Sequence, residues 1–300
     1  NPFSITDVRF ALNYLVDRNL IVNELLGGYG KPMISNYGMY AADYLSIIDE
    51  IESFHFEYNP SYANDLITDA LENAGAEKIH DIWYHDGEQI EISFFIRSDD
   101  PIRKSIGEIL SYELENIGFK VKKDFGDLNK AFVVVYGSNP ATQKWHLYTE
   151  GWGSSGFSKY DSVGLAQMYS PWFSNMPGNN DPTYWNYKND YIDALTQKIY
   201  IGDFTSAQER TSLIEEATKE GVNESVRIFL ASKTDQFIAN ENVDGVINAL
   251  GAGITTRFTP INANSDTNSL VIGVKQIYQG AWNPIAGFSD TYSNQVWLNL

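Results

Sequence analysis

The chain has 300 residues, 43% hydrophobic and 14% aromatic, which excludes an intrinsically disordered protein and allows a sizeable core. The formal net charge of −18 repels phosphate backbones and anionic lipids, so we expect neither nucleic acid nor a membrane surface as a partner. The sequence contains no cysteine, which excludes disulfides, thiolate nucleophiles and thiolate metal sites. No stretch reaches the ~20 apolar residues that a membrane helix needs.

The first two helices are predicted from their caps and their apolar spacing. The first begins near Ser4 or Thr6, because either hydroxyl can accept a backbone N–H bond as an N-cap. Its buried face is predicted to comprise Val8, Ala11, Leu12 and Leu15. Asp17 is placed to cap a second helix, which Gly27-Gly28 ends.

Two further helices open with a capping residue followed by proline. Asn59-Pro60 and Asp100-Pro101 both have this pattern, which is typical of a helix N-terminus. Gly75 is predicted to end the first of these helices and Gly118 the second. The buried stripe of the first is predicted to comprise Ala63, Leu66, Ile67, Ala70 and Ala74.

Between these helices the pattern changes to strands. Asp86-Gly87 separates residues 78–85 from residues 88–97, and this dipeptide is the strongest short-range signal for a hairpin. Three more short strands are predicted at 119–123, 131–136 and 144–149. His80 and His85 would then lie five apart on one strand and point to opposite faces, so no metal site is predicted there.

The second half begins with a loop-rich aromatic segment, 150–188. Helices are predicted at 190–201 and 205–220, the second with a capping box at Thr205–Gln208 and an end at Gly221. Val226 to Ala231 is typical of a buried strand. The alternation of helices and strands predicts the α/β class, with a mixed sheet flanked by helices.

Five segments, in register, resemble one protein family. They are Asp7–Arg18 with Gly28-Tyr29-Gly30, Tyr58–Gly75, Ile109–Val121, Gly151-Trp152-Gly153, and Trp185–Leu195. Together they are similar to the second lobe of the peptide-type extracellular solute-binding proteins, the receptors of ABC importers in the dipeptide/oligopeptide class. The resemblance implies a periplasmic-binding-protein-like lobe over residues 1–238. Residues 239–300 would be a return segment towards the first lobe, and both chain ends are expected to be cut points in a longer protein.

The same resemblance implies a ligand site at the glycines around Trp152, whose backbone would pair with an extended peptide. The predicted ligand-binding residues are Gly151, Trp152, Gly153, Ser154, Tyr160, Asp161, Tyr169 and Trp172. The family often has an aspartate just after this tryptophan that holds the amino terminus of the peptide. Here Ser154 to Phe157 replace it, and Asp161 is the nearest carboxylate that could substitute.

Peptide and sugar ligands both remain open at this point. Aromatic side chains such as Trp152 and Trp172 would suit a sugar ring as well as a peptide, or they could be ordinary core and loop anchors. The spacing Gly151-x-Gly153-x-x-Gly156 formally matches a dinucleotide fingerprint, but it precedes a loop instead of a helix. We therefore expect no cofactor and no metal.

The sequence thus predicts a monomeric, non-enzymatic receptor that is extracellular or periplasmic. Its partners would be a peptide or small-molecule ligand and an ABC permease, and a part of the parent outside this chain would hold it at the membrane. An oligosaccharide receptor of the same family is one alternative. A secreted glycan-processing enzyme with paired carboxylates and a structural surface-layer domain are the alternatives from other classes.

Overall fold

The computed structural model describes residues 1–39, 41–153, 161–173, 176–177, 181–184, 187–248, 254, 258–267 and 269–273. Internal contacts divide the chain into two compact units. The first comprises Asn1–Gly151 and Asp161–Thr234, and the second comprises the described residues of Trp152–Tyr160 and Asp235–Leu300.

Helices and strands alternate along the described chain, which confirms the α/β class. The α-helices are α1 Thr6–Leu15, α2 Arg18–Leu20, α3 Ile48–Glu52, α4 Pro60–Asn73, α5 Pro101–Asn116, α6 Leu128–Ala131, α7 Gly164–Tyr169, α8 Asp190–Ile201, α9 Ala207–Glu224 and α10 Phe258–Asn262. The strands are β1 Gly30–Pro32, β2 Glu77–Ile79, β3 Ile82–His85, β4 Glu88–Gln89, β5 Glu91–Arg97, β6 Lys120–Gly126, β7 Leu147–Tyr148, β8 Ala231–Lys233, β9 Val243–Asp244 and β10 Asn264–Ser265. Two π-helical segments, Ile21–Leu25 and Phe132–Tyr136, continue α2 and α6. None of these described helices is both long enough and apolar enough to cross a membrane.

Parallel and antiparallel pairing occur in separate sheets within the described residues, whereas the sequence predicted one mixed sheet. The parallel sheet has the order β6-β5-β7, and α5 is the crossover that joins β5 to β6. The antiparallel sheet β2-β3-β4 is a meander, while β1 pairs with β8 and β9 pairs with β10. The three parallel strands have their carboxyl ends at the same edge of the sheet.

Two large apolar clusters form most of the core of the first unit, and a third, smaller cluster comprises Phe95, Ala131 and Val135. In one, α1 and α4 pack with the strands through Val8, Leu12, Ile67, Trp83 and Ile92. In the other, α7, α8 and α9 pack together through Tyr169, Ile192 and Ile214. The first cluster therefore supports the sheets, and the second is a helical layer.

The caps predicted at Asp17, Asn59 and Asp100 are confirmed. The side chain of Asn59 accepts the N–H of Tyr62 at 3.1 Å, and that of Asp17 accepts the N–H of Leu20 at 2.8 Å. The side chain of Asp100 accepts two N–H groups at the start of α5. The predicted buried face of α1 is also confirmed, because its four residues are buried. These signals are local, and the backbone needs them whatever the rest of the fold is.

The predicted cap of α1 at Ser4 or Thr6 is wrong, because Ile5 occupies that position without a side-chain hydrogen bond. The capping box predicted at Thr205–Gln208 is displaced by one residue, since Ser206 accepts the N–H of Glu209.

The predicted long hairpin is wrong in extent. Its turn is correct, since Asp86 and Gly87 both have positive φ and join β3 to β4. However, His80 and Asp81 also have positive φ and form a second turn, which breaks the first predicted strand. His80 consequently lies in a turn instead of on a strand.

The predicted strand at 131–136 is also wrong, because this segment is helical. The side chain of Asp127 accepts the N–H of Lys130 at 2.9 Å and starts α6, which continues into a π-helical turn. Val135 is buried, whereas Val133 is 71% exposed. The run of β-branched residues suggested a strand, but a local cap outweighs a weak strand propensity.

The end of α9 differs from the prediction at Gly221. The helix begins after Ser206, which caps it, but it continues past Gly221 to Glu224. Gly221 is needed for packing, because a β-carbon there would lie 2.5 Å from two ring atoms of Tyr169. The predicted strand from Val226 to Ala231 is wrong except for its last residue, because β8 spans Ala231–Lys233.

We expect Gly221→Ala to lower the free energy of unfolding by about 1–2 kcal/mol. Alanine would gain about 1 kcal/mol of helix propensity, but overpacking against the fully buried Tyr169 costs up to about 3 kcal/mol. Urea unfolding measures the difference, and Ser212→Ala on the exposed face of α9 is the control. A Gly221→Ala protein as stable as the control would contradict the close packing.

We also expect stability to fall on acidification because of His146. Its Nδ1 accepts the N–H of Ser93 at 3.0 Å, and burial lowers its pKa. The unfolded chain therefore binds more protons just below pH ~6.5, so the free energy of unfolding falls as pH drops from there. Urea unfolding at pH 5 to 7.5 should show a smaller fall for His146→Asn, which keeps an acceptor for Ser93. Exposed His80→Asn should keep the wild-type slope, and the same slope in both variants would refute this assignment.

Candidate functional site

The carboxyl ends of the parallel strands form the candidate site. Strand β5 ends at Arg97, β6 ends at Gly126 and β7 ends at Tyr148. The connection through α5 places β6 on one side of β5, and β7 lies on the other side. The strand order therefore reverses at β5, and in open α/β sheets ligands bind outside the carboxyl ends at such a point.

Arg97 is buried at this edge and is held by Asp99. Its Nε and Nη2 donate to the two Asp99 oxygens at 2.6 and 2.8 Å, and Nη1 donates to the Tyr148 hydroxyl at 3.2 Å. Burial alone would lower the pKa of Arg97, but these hydrogen bonds raise it. Burial would likewise raise the pKa of Asp99, but the bonds from Arg97 lower it. Both groups therefore stay ionised, and each is the hydrogen-bond partner of the other.

Glu150 follows β7 and is paired with Arg227. The pair is largely buried, and the Tyr136 hydroxyl donates to the same carboxylate. Arg227 also donates through Nε to the carbonyl oxygen of Met168, the residue before the end of α7, at 2.7 Å. Burial lowers the pKa of Arg227 to about 10, so the guanidinium remains charged at neutral pH. This arginine connects the helical layer to the strand edge.

Arg103 lies in the first turn of α5, and its guanidinium rests against Gly151. A β-carbon at Gly151 would lie 2.7 Å from Cζ of Arg103, so a larger residue at this position would displace the guanidinium. Among the described residues, Arg103 forms an ion pair with Asp100, whose Oδ2 lies 3.4 Å from its Nε. The strand end thus presents a bare glycine backbone beside a guanidinium.

The predicted residues at Gly151, Trp152 and Gly153 are all exposed. The side chain of Trp152 is 42% exposed, and no atom lies within 4 Å of a β-carbon built at Gly153. Neither glycine has a backbone hydrogen bond to another described residue. Ser154 and Tyr160 lie outside the described residues.

The carboxylate of Asp161 accepts hydrogen bonds from the backbone that follows it. Its carboxylate accepts the N–H groups of Val163 and Gly164 at 3.0 to 3.1 Å, just before α7. Its own carbonyl oxygen accepts from Arg210 at 2.7 Å, and Arg210 forms a buried, bidentate pair with Asp43. The Asp161 carboxylate therefore already has hydrogen-bond donors, whether or not it also meets a ligand.

Tyr169 and Trp172 lie away from the strand edge. Tyr169 is 0% exposed in the helical layer, so a ligand could reach its ring only if that packing opened. Trp172 is half-buried and meets Phe173 and Tyr200 edge to face. Both rings thus help to hold α7 and α8 in place.

Sequence reasoning missed the charged residues of the strand edge. Arg97, Arg103, Glu150 and Arg227 were not predicted as site residues. Arg97 and Arg103 could have been found from the sequence, because Arg97 ends a predicted strand and Arg103 follows the predicted cap of the crossover helix. Glu150 and Arg227 are far apart in the chain, and no spacing rule links them.

Two other features of the described residues are less relevant to this site. They contain no group of three His, Asp or Glu side chains that could hold a metal ion. A small apolar pocket lies elsewhere in the first unit and is lined by Leu15, Val16, Asp17, Ile21, Ile106, Ile109, Leu110 and Leu230. None of the predicted ligand-binding residues lines that pocket.

Glu150→Gln is expected to destabilise the protein by about 3 kcal/mol, because it leaves the Arg227 charge buried without a counter-charge. Glu108→Gln is the control, since Glu108 pairs with Lys104 at 3.8 Å in an exposed position and should shift stability by about 0.5 kcal/mol or less. The urea midpoints of the two variants measure the difference. Equal midpoints would show that the Arg227 pair does not hold this edge.

Sequence comparison identifies relatives with this organisation. The family model for bacterial extracellular solute-binding proteins, family 5 Middle, matches residues 1–174. A curated relative is heme-binding protein A of Haemophilus influenzae, which is 27% identical over 230 residues. The aligned region covers 72% of this chain and 34% of that protein.

Solved structures share the fold. NikZ of Campylobacter jejuni in complex with Ni(L-His) has a TM-score of 0.65 and 22% identity, over 87% of this chain and 49% of that one. The oligopeptide-binding protein AppA of Bacillus subtilis, in complex with a nonapeptide, has a TM-score of 0.63 and 21% identity, over 81% of this chain and 44% of that one. A mannohexaose-bound oligopeptide-binding protein of Thermotoga maritima has a TM-score of 0.65 and 13% identity, over 88% of this chain and 50% of that one. The chain spans about a third of the curated relative and about half of each structure. Because the family model matches more than half of its residues, the chain belongs to the bacterial extracellular solute-binding proteins of family 5.

Proposed function

We propose that this chain is one lobe of an extracellular receptor that captures peptides or related small solutes and delivers them to an ABC permease. The observation that carries the proposal is the exposed Gly151, which follows β7 at the carboxyl edge of the parallel sheet. The lobe would comprise residues 1–238, and residues 239–300 would return towards the other lobe. The end of the first compact unit at Thr234 lies close to this boundary.

A peptide suits this edge because the glycines offer free backbone. Gly151 and Gly153 are exposed, and their N–H and C=O groups have no partner among the described residues. An extended peptide could pair with these groups as an added strand, while its side chains remain free to vary. Main-chain pairing of this kind gives affinity without demanding one sequence.

The state of the carboxylates supports binding without catalysis. A glycan-processing enzyme needs one carboxyl group with a raised pKa as its general acid. At this edge Asp99 is paired with Arg97, which lowers its pKa, and Glu150 is paired with Arg227. Both carboxylates therefore serve as fixed counter-charges.

An oligosaccharide is the second candidate ligand, and the exposed ring of Trp152 favours it. Aromatic faces bind sugar rings as readily as apolar peptide side chains. The similar structures contain a nonapeptide in one case and mannohexaose in another. A direct comparison of the two ligand classes is therefore part of the test.

In the proposed mechanism, the two lobes of a monomeric receptor close on the ligand, and the permease recognises the closed form. The ligand drives closure only through its higher affinity for that form. A segment outside this chain would hold the receptor at the membrane.

The proposal is tested by a thermal-shift screen of the full-length receptor against tri- to hexapeptides and mannose or glucose oligosaccharides. A ligand that binds the folded state raises the Tm by mass action. A shift with peptides supports the proposal, and a shift with sugars alone moves the function to the second candidate. Turnover of any glycan would overturn the non-enzymatic assignment.

Trp152→Ala is expected to weaken ligand binding about tenfold, or ~1.4 kcal/mol, because it removes an exposed aromatic face beside the peptide backbone. The Tm without ligand should change by only a few degrees, since 42% of the residue's surface is already exposed. Tyr112→Ala removes an exposed ring from the outer part of α5 and is the matched control. If both variants bind like the wild type in calorimetry, Trp152 is not part of the site.

A further inference from the structure

Four buried oxygen atoms in and beside the helical layer of α7, α8 and α9 have no hydrogen-bond partner among the described residues. They are the hydroxyl oxygens of Tyr169, Tyr187 and Thr218 and Oδ1 of Asp193. Tyr169 is 0% exposed, Thr218 is 1% exposed and Asp193 is 8% exposed. Buried polar atoms in folded proteins are almost always hydrogen-bonded, so a group of four exceptions indicates a ligand that supplies the missing bonds.

Tyr169 and Thr218 approach the same face of α9. A β-carbon at Gly221 would lie 2.5 Å from Cζ of Tyr169, so the hydroxyl that Cζ carries lies beside this helix. Thr218 comes three residues before Gly221, and residues at that spacing are neighbours on the surface of a helix. Both hydroxyls therefore lie in the same part of the layer.

Asp193 and Tyr187 reach this part of the layer from the start of α8. Asn189, the N-cap of α8, donates to Glu220 at 3.1 Å, which places the first turn of α8 beside the last turns of α9. Burial raises the pKa of Tyr187, and the charge of Asp193 is among those that raise it further. Burial and then Tyr187 raise the pKa of Tyr169. Tyr187 thus lies within electrostatic range of both residues.

The balance of donors and acceptors identifies the ligand. A tyrosine hydroxyl has one proton to donate, whereas an ionised carboxylate only accepts. A water molecule can accept from Tyr169 and Tyr187 and use its own two protons for Asp193 and Thr218, and buried waters typically bond to such unsatisfied groups. A metal cation would bind the lone pairs but would leave both tyrosine protons without an acceptor.

We propose that the helical layer contains a binding site for one water molecule, which accepts from the two tyrosines and donates to Asp193 and Thr218. The water joins the end of α7 to the first turn of α8 and to α9. The carbonyl oxygen of Met168, in the last turn of α7, accepts from Arg227. The site therefore also helps to fix the helix to which the strand edge is attached.

The first test counts long-lived water molecules by oxygen-17 magnetic relaxation dispersion on the full-length receptor. The double variant Tyr169→Phe/Tyr187→Phe lacks both hydroxyl donors and should lose a signal equivalent to one water molecule. Tyr112→Phe removes an exposed hydroxyl and should leave the signal unchanged. An equal signal in the wild type and the double variant would overturn the proposal.

The second test asks whether the hydroxyls share one ligand. Tyr169→Phe and Thr218→Val should each lower the urea midpoint, and the two together should lower it little more than the larger single shift. Their lost bonds belong to one water molecule, and groups in one network are not additive. Tyr169→Phe combined with Tyr112→Phe is the control pair and should be additive. Additive shifts for Tyr169→Phe and Thr218→Val would show that no ligand joins them.

A third measurement needs only the wild type and Asp193→Asn, so it decides even if the double variants do not fold. The Tm is compared in sodium, potassium and choline chloride at equal ionic strength. We expect equal values in the three salts for the wild type. A Tm that rises with sodium or potassium, and does so only while Asp193 is present, would assign the site to a cation and overturn the water assignment.

Discussion

The ion pair between Arg227 and Glu150 is the interaction on which the candidate site depends. Arg227 binds the end of α7 through the carbonyl oxygen of Met168 and the strand edge through Glu150. Burying two charges costs about as much free energy as their attraction returns, so the pair adds little net stability. Its effect is positional, because either charge without the other would be strongly unfavourable in the interior. The strand end at Gly151 is held in this way, next to the helical layer.

Buried arginines make similar connections elsewhere in the first unit. Arg18 donates to the carbonyl oxygens of Met33 and Phe229 and to Asn13, and burial lowers its pKa to about 10. Arg210 joins α9 to Asp43 by a bidentate pair. A guanidinium can serve several acceptors in one plane, which suits it to junctions where irregular segments meet. The surface is left with an excess of acidic side chains, consistent with the net charge of −18.

The parts of the fold that could be predicted from the sequence are those determined within one turn of chain. Asn59 and Asp100 were correctly predicted as caps, because an N-cap satisfies backbone groups that every helix leaves free. Asp127 is the same kind of signal and was overlooked, so the run that follows it was predicted as a strand. Gly221 in α9 is the opposite case. The ring of Tyr169, which is distant in the chain, leaves no room for a β-carbon at this position. The local rule that glycine ends a helix therefore predicts the wrong end.

Some residues of the candidate site could likewise be predicted from the local sequence, whereas others could not. Gly151 and Trp152 could be selected from sequence because glycines on both sides of a large aromatic residue indicate exposed backbone, and the resemblance supplied the rest. The position of Arg103 beside Gly151 could not be predicted, because it follows from the parallel crossover that returns α5 to the strand edge. The N-terminus of α5 would itself attract an anion, but Asp100 already occupies it. The positive charge left at this edge is therefore carried by side chains, Arg103 among them, and not by the helix backbone. A side chain can be changed by a single substitution without loss of the helix, so ligand preference at this edge can change while the fold remains.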